Sequence, residues 1–174
     1  MSVQRGPGRG AGKSGMELFS GVLQRSADRG QTWKKVSARA QALDHLTVDP
    51  ARQDRLFALS RIGPGIWRSE DGGRRWTLLA AGLPKVGFVS DLLLDPSRPD
   101  RIWIAVEVFA LFGQVERSAT RIFRSDDAGT HWTEVSDGLT PGVVVLRLAA
   151  DPERADVLYA GTAGQGVYRL VVVD

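Results

Sequence analysis

Chemistry by carboxylates is the first possibility to weigh, because the chain carries 20 Asp and Glu. Hydrolysis of a glycosidic bond needs two carboxylates facing each other across a cleft, one kept protonated. Six of these acids fall in a recurring turn, at Asp49, Asp54, Asp95, Asp100, Asp151 and Asp156. Residues that return at every repeat read as structural. The acids outside that turn include Asp44, Asp91, Glu107, Glu116 and Asp137, and no pair among them stands out. His45 and His131 are the two histidines, far apart in sequence, and there is no cysteine, so neither a metal centre nor a thiol nucleophile is expected. No cofactor is expected either. Gly12-Lys13-Ser14 looks like the end of a phosphate-binding loop. The first glycine of that motif would fall on Pro7, and no strand precedes it to aim backbone N–H groups at a phosphate.

The elements that must position any site come from a repeat. Ser26-Ala27-Asp28-Arg29-Gly30-Gln31-Thr32-Trp33 returns as Ser69 to Trp76 and again as Ser125 to Trp132. The shared pattern is S-x-D-x-G-x-x-W, each time preceded by Arg. In phase with it, Asp49-Pro50-Ala51-Arg52-Gln53-Asp54 matches the segments at 95–100 and 151–156. An apolar stretch precedes each Asp-Pro and a β-like run such as Ile102-Trp103-Ile104-Ala105 follows it. The unit is four short strands: A before Asp-Pro, B after it, C ending at the motif Arg, and D from the motif Trp. Even turn signals without helical periodicity point to an all-β fold. Four strands in a unit of about 43 residues is the size of a propeller blade.

The S-x-D-x-G-x-x-W motif resembles the Asp-box, or BNR repeat, of sialidases and of Vps10/sortilin-type, xyloglucanase-type and photosystem II assembly propellers. The Asp-Pro-x-x-x-Asp motif with its apolar strand places the resemblance nearest the last three groups. It covers residues 17–174. It implies a propeller in which Ser26, Asp28, Gly30 and Trp33, Ser69, Asp71, Gly73 and Trp76, and Ser125, Asp127, Gly129 and Trp132 are structural and lie away from any catalytic centre. The Asp and Ser side chains are expected to bind turn backbone, and the glycines to supply positive φ. Sialidase chemistry, as the resemblance implies it, requires an arginine triad, a Tyr activated by Glu and an Asp acid. Tyr159 and Tyr168 instead occupy repeat-equivalent strand positions and read as packing residues. Arg61-Ile62-Gly63-Pro64 is only a faint counterpart of the sialidase Arg-Ile-Pro element.

The expected organisation is a glycine- and arginine-rich tail over 1–15, then propeller blades over 16–174: a partial blade at 16–37, blades at 38–82 and 83–138, and a partial blade at 139–174. That makes about 3.5 blades, where closed rings usually hold 4–8. Three arrangements are compatible with this count: a piece of a longer propeller, a ring completed by a second chain, or an open arc. A truncated or partial propeller is favoured, whose open blade edges seek self-association or a protein partner. The third blade is irregular. It carries ten extra residues within 107–118, and Val108, Phe109, Leu111 and Phe112 there are candidates for partner contact on an elongated loop; the alternative is a hairpin packed on its own blade.

The net charge of +3 comes from Arg5, Arg9 and Lys13 in the tail, since the rest balances. The basic balance is therefore poor evidence for specific nucleic-acid binding, although Arg-Gly pairs can bind RNA weakly. No run of 18 apolar residues predicts a membrane span. Residues 1–15 lack the apolar stretch of a secretory leader, which suggests the cytoplasm by default, or an extracytoplasmic location if the N-terminus is incomplete. Two functions follow as expectations. One is a noncatalytic scaffold binding protein or ligand through the propeller face and the third-blade loop. The other is part of a sialidase-like or xyloglucanase-like glycoside hydrolase, with carbohydrate as the ligand.

Overall fold

The computed structural model describes residues 20–41, 43–60, 63–108 and 119–172. Among these residues the chain is all-β, with thirteen strands in four antiparallel sheets. Sheet 1 pairs β1 (Ser20–Arg25) with β2 (Lys34–Gln41). Sheet 2 runs β3 (Leu43–Val48), β4 (Leu56–Ser60), β5 (Ile66–Ser69) and β6 (Thr77–Leu79) in sequence order. Sheet 3 repeats that meander with β7 (Phe88–Leu94), β8 (Ile102–Val108), β9 (Ala119–Ser125) and β10 (Thr133–Glu134). Sheet 4 holds β11 (Val145–Ala150), β12 (Val157–Thr162) and β13 (Val167–Val171). This is a partial propeller of Asp-box blades. Each D strand starts one residue after its motif Trp, because the indole closes the turn before pairing begins.

The apolar core lies between sheets. One cluster joins Phe57, Leu59, Ile66 and Leu79 of sheet 2 to Ile102, Ile104, Val106 and Phe123 of sheet 3. A second joins Trp103, Ala105 and Ile122 of sheet 3 to Val145, Leu158, Ala160 and Leu170 of sheet 4. Successive residues of β8 thus serve opposite neighbours: Ile102 and Ile104 face sheet 2, Trp103 and Ala105 face sheet 4. This is why the B strands read as unbroken apolar runs instead of alternating ones; both of their faces are covered. All five residues of β4 are buried. Each A strand carries a register irregularity where it meets its B strand, at 44–46, 89–91 and 145–147. Such bulges bend the strand and strengthen its twist. His45 sits in the first of them with φ 48°.

Candidate functional site

Each Asp-box closes a C-to-D hairpin in the same way. Ser26 Oγ donates to Asp28 Oδ1 (2.7 Å) and accepts from the Gly30 N–H (2.7 Å). Ser69 and Ser125 repeat this with Asp71 and Gly73 and with Asp127 and Gly129; both Gly N–H contacts are 2.8 Å. The carboxylate then gathers backbone donors further round the turn. Asp28 accepts the Thr32 N–H (2.8 Å) and the Thr32 hydroxyl. Asp71 accepts the N–H groups of Arg74 (2.9 Å) and Arg75 (2.8 Å). Asp127 accepts the His131 N–H at 2.9 Å, and its other oxygen lies 2.6 Å from His131 Nδ1. His131 is therefore tied to its box although its ring is exposed.

These bonds favour the ionised carboxylate. Asp28 is lowered from 3.8 to about 2, first by the Thr32 hydroxyl, then by the Thr32 N–H and Ser26. Asp127 also falls to about 2; partial burial opposes ionisation, and the hydrogen bonds from His131 and Ser125 outweigh it. Asp71 is lowered chiefly by the Arg75 N–H. A general acid needs the opposite shift, so the box aspartates are unsuited to proton donation.

The Asp-Pro turns lie beside the boxes. Asp49, Asp95 and Asp151 each accept the N–H two residues on, at 2.8, 2.8 and 3.0 Å. The Gly72 N–H donates to Asp54 O (2.9 Å) and the Ala128 N–H to Asp100 O (2.8 Å), which fastens box to turn within one blade. The acids outside the turn also include a structural one. Asp91 is buried and accepts the Leu148 N–H at 2.7 Å, with Arg147 at 3.5 Å, joining sheet 3 to sheet 4. Ser90 Oγ reinforces the same junction by donating to Val145 O (3.1 Å).

Two contacts between blades were not foreseen from the sequence. The first is Arg55, buried, which binds Asp49 of its own turn (2.5 Å) and reaches Asp100 and Pro99 O of the next turn. The signal was present, since Arg55 and Arg101 occupy one repeat position; Val157 takes it in the third copy. The second is a fit of side chain into glycine. A Cβ on Gly73 would overlap Leu23 of sheet 1, and one on Gly129 would lie 2.7 Å from Leu79 Cδ1 and 3.5 Å from Ile66 Cδ1 of sheet 2. Gly73 and Gly129 have φ of 94° and 90°, so both conformation and space require glycine. Arg68 adds a bond from its guanidinium to Ala128 O (2.8 Å) beside the second of these holes. The Asp-box thus receives the preceding blade as well as closing its own hairpin.

The tryptophans grade with these contacts. Trp33 is 40% exposed, Trp76 half-buried and Trp132 7% exposed, the last within the core between sheets 2 and 3. Trp33 and Trp76 donate to their box glycine carbonyls at 3.1 and 3.0 Å. Of the candidate loop, Val108 ends β8, half-buried against the sheet 2–sheet 3 core; Phe109, Leu111 and Phe112 lie outside the described residues. Tyr159 donates to Asp151 (3.1 Å), and Tyr168 packs on the sheet 3–sheet 4 core. A cleft of about 430 Å³ between sheets 1 and 2 is lined by Arg25, Ser26, Asp49 and Gln53 among others. Among the described residues no cluster of three or more His, Asp or Glu is placed to hold a metal ion, and no helix is long and apolar enough to cross a membrane.

Known proteins similar to this chain include xyloglucanases. A xyloglucanase of Paenibacillus sp is 29% identical over 67% of this chain, and xyloglucanase Xgh74A of Acetivibrio thermocellus is 29% identical over 72%. The chain spans only 13% and 18% of the length of those relatives. Among solved structures, the GH74 enzyme of Niastella koreensis superposes with a TM-score of 0.63 at 24% identity, covering 87% of this chain and 24% of the other. The GH74 xyloglucanase of Xanthomonas campestris gives 0.60 at 15%, covering 83% and 23%. Both likenesses are of fold. Residues 21–155 match the family described as Sortilin, neurotensin receptor 3, and with that match over most of its length the chain belongs to the Sortilin-Vps10 family of Asp-box propellers.

Proposed function

We propose that this chain is a noncatalytic propeller scaffold that binds a protein or other ligand through its propeller face and the third-blade segment around Val108, Phe109, Leu111 and Phe112. The commitment of seven of its 20 carboxylates to backbone supports this reading. The box aspartates, the Asp-Pro aspartates and Asp91 each hold backbone N–H groups. The box aspartates are also held in the ionised form. Hydrolysis needs one carboxyl free to give a proton and a second free to face the anomeric carbon. A second reading, favoured by the xyloglucanase likeness, makes the chain part of a glycoside hydrolase with a β-glucan ligand. Incubation with xyloglucan and a panel of β-glucans separates the two. The scaffold reading expects no new reducing ends above a buffer control; clear turnover by this chain would overturn it. Deleting residues 108–116 should leave the circular dichroism spectrum unchanged and remove ligand binding.

A further inference from the structure

The face of sheet 4 turned away from sheet 3 presents the side chains that elsewhere enter a neighbouring blade. In the repeat, Leu23, Ile66, Ile122 and Val167 are equivalent, each two residues before the motif arginine. Leu23 fills the hole at Gly73, Ile66 helps fill the hole at Gly129, and Ile122 is fully buried against sheet 4. Val167 is 70% exposed. Arg169 matches Arg68, which donates to the carbonyl of the next box, and Arg169 is also exposed. Val171 completes the apolar strip beside them at 51% exposure.

The complementary half lies at sheet 1. Among the described residues, a Cβ on Gly30 would meet only its own Trp33, at 3.8 Å, whereas the Gly73 and Gly129 holes are filled from the preceding sheet. Arg29 has φ 58°, as Ala128 has 57°, so its carbonyl holds the same place in its box as the acceptor that Arg68 finds. Trp33 is the exposed member of its series.

We infer that a second copy of this chain docks head to tail on this face, with Val167 of one copy entering the Gly30 hole of the other and Arg169 bonding the Arg29 carbonyl. The two junctions within the chain are the pattern for this contact: a residue at this repeat position reaches the box glycine of the following sheet, Leu23 at Gly73 and Ile66 beside Leu79 at Gly129, and the Arg68-to-Ala128 bond is added between sheets 2 and 3. The idea rests on the scaffold reading, for which it names the chain itself as a protein partner. Such a contact is heterologous and makes either a closed ring or an open array.

Light scattering and sedimentation velocity on the full chain test it first. A dimer or larger species that grows with concentration is expected, and a monomer at every concentration would overturn the inference. Val167→Asp and Arg169→Glu, both at exposed positions, should leave the far-ultraviolet spectrum unchanged. Val167→Asp should weaken association about tenfold or more, from the loss of one buried valine. Unchanged association in both variants would also overturn it. The absence of cysteine gives a clean background for geometry. Val167→Cys mixed with Arg29→Cys should cross-link through a short bismaleimide, and neither should cross-link with itself. Self-linking of Val167→Cys would mean a sheet 4 to sheet 4 contact and refute the head-to-tail arrangement. Turnover of glycans by an associating chain would sink the scaffold reading alone, and an inactive monomer would sink this inference alone.

Discussion

Replacing Gly73 by alanine tests whether the Asp-box is a receptor for the preceding blade. Two costs are superposed there. At φ 94° an L-residue adopts a left-handed backbone, worth about 1–2 kcal/mol. The new Cβ also overlaps Leu23, which is 3% exposed, and lies 3.3 Å from Leu56 Cδ1. Overpacking of this kind costs about 1–3 kcal/mol. The sum is about 2–5 kcal/mol, a large part of a domain's usual 5–15 kcal/mol. Gly138 provides the control, because at φ 88° its Cβ would meet nothing within 4 Å. Gly138→Ala should therefore show the backbone part alone. Gly87 bounds the other side: at φ 126° its Cβ would overlap the Glu107 carbonyl, which cannot rotate away as a leucine can. Urea unfolding followed by tryptophan fluorescence should rank the losses as Gly87→Ala, then Gly73→Ala, then Gly138→Ala. A double-mutant cycle with Leu23→Ala should give a coupling of about 1–3 kcal/mol, because the cavity accepts the added methyl. Equal losses at Gly73 and Gly138, with a cycle closing to within about 0.5 kcal/mol, would refute the docking role.

Arg55→Met should cost about 3–5 kcal/mol in the same assay, because it strands the buried Asp49 carboxylate, while Arg154→Met, whose pair with Asp156 is exposed, should cost far less. A comparable loss in both would show that the buried pair has no special weight. Acid should also destabilise the fold in a defined window. Asp28 and Asp127 titrate near 2 when folded and near 3.8 when not, so their contribution is complete above about pH 4 and disappears as pH falls from about 4 to about 2. The urea midpoint should drop through that window, less steeply in Asp28→Asn; a midpoint that rises on acidification would contradict the assignment.

The repeat made the architecture legible. Three boxes in phase with three Asp-Pro turns marked the hairpins, and the apolar runs between them became the B and C strands. Contacts between blades are hidden in the sequence because they join residues in different copies of the repeat, 45 positions apart for Arg55 and Asp100 and 60 for Arg68 and Ala128. Leu23 reads as an ordinary strand residue until Gly73 is seen beneath it. The box glycines were expected for their backbone conformation, and the lack of a Cβ proved to matter equally. Asp91 reads in the sequence as an acid of no evident role, yet it accepts an N–H from the neighbouring sheet. Arg55 lies next to a recognised motif, and its role is hidden because its partner, Asp100, belongs to the following copy.

The junctions are unequal, and that bears on how the chain comes apart. Sheets 2 and 3 share an apolar cluster, the Arg55 contacts and the Arg68 bond; sheets 3 and 4 share a cluster, Asp91 and Ser90. Among the described residues, sheet 1 is held to sheet 2 by Leu23 at Gly73 and by the exposed Arg25–Asp54 pair at 3.5 Å. In a linear array whose stability is a sum of unit and nearest-neighbour terms, the weakest coupling breaks first. Amide hydrogen exchange should then find β1 and β2 opening as a separate cooperative unit, well below the free energy at which β4 and β8 exchange. A chain built of like repeats would in this way melt from one end, with its order of melting set by how much joins each sheet to the next.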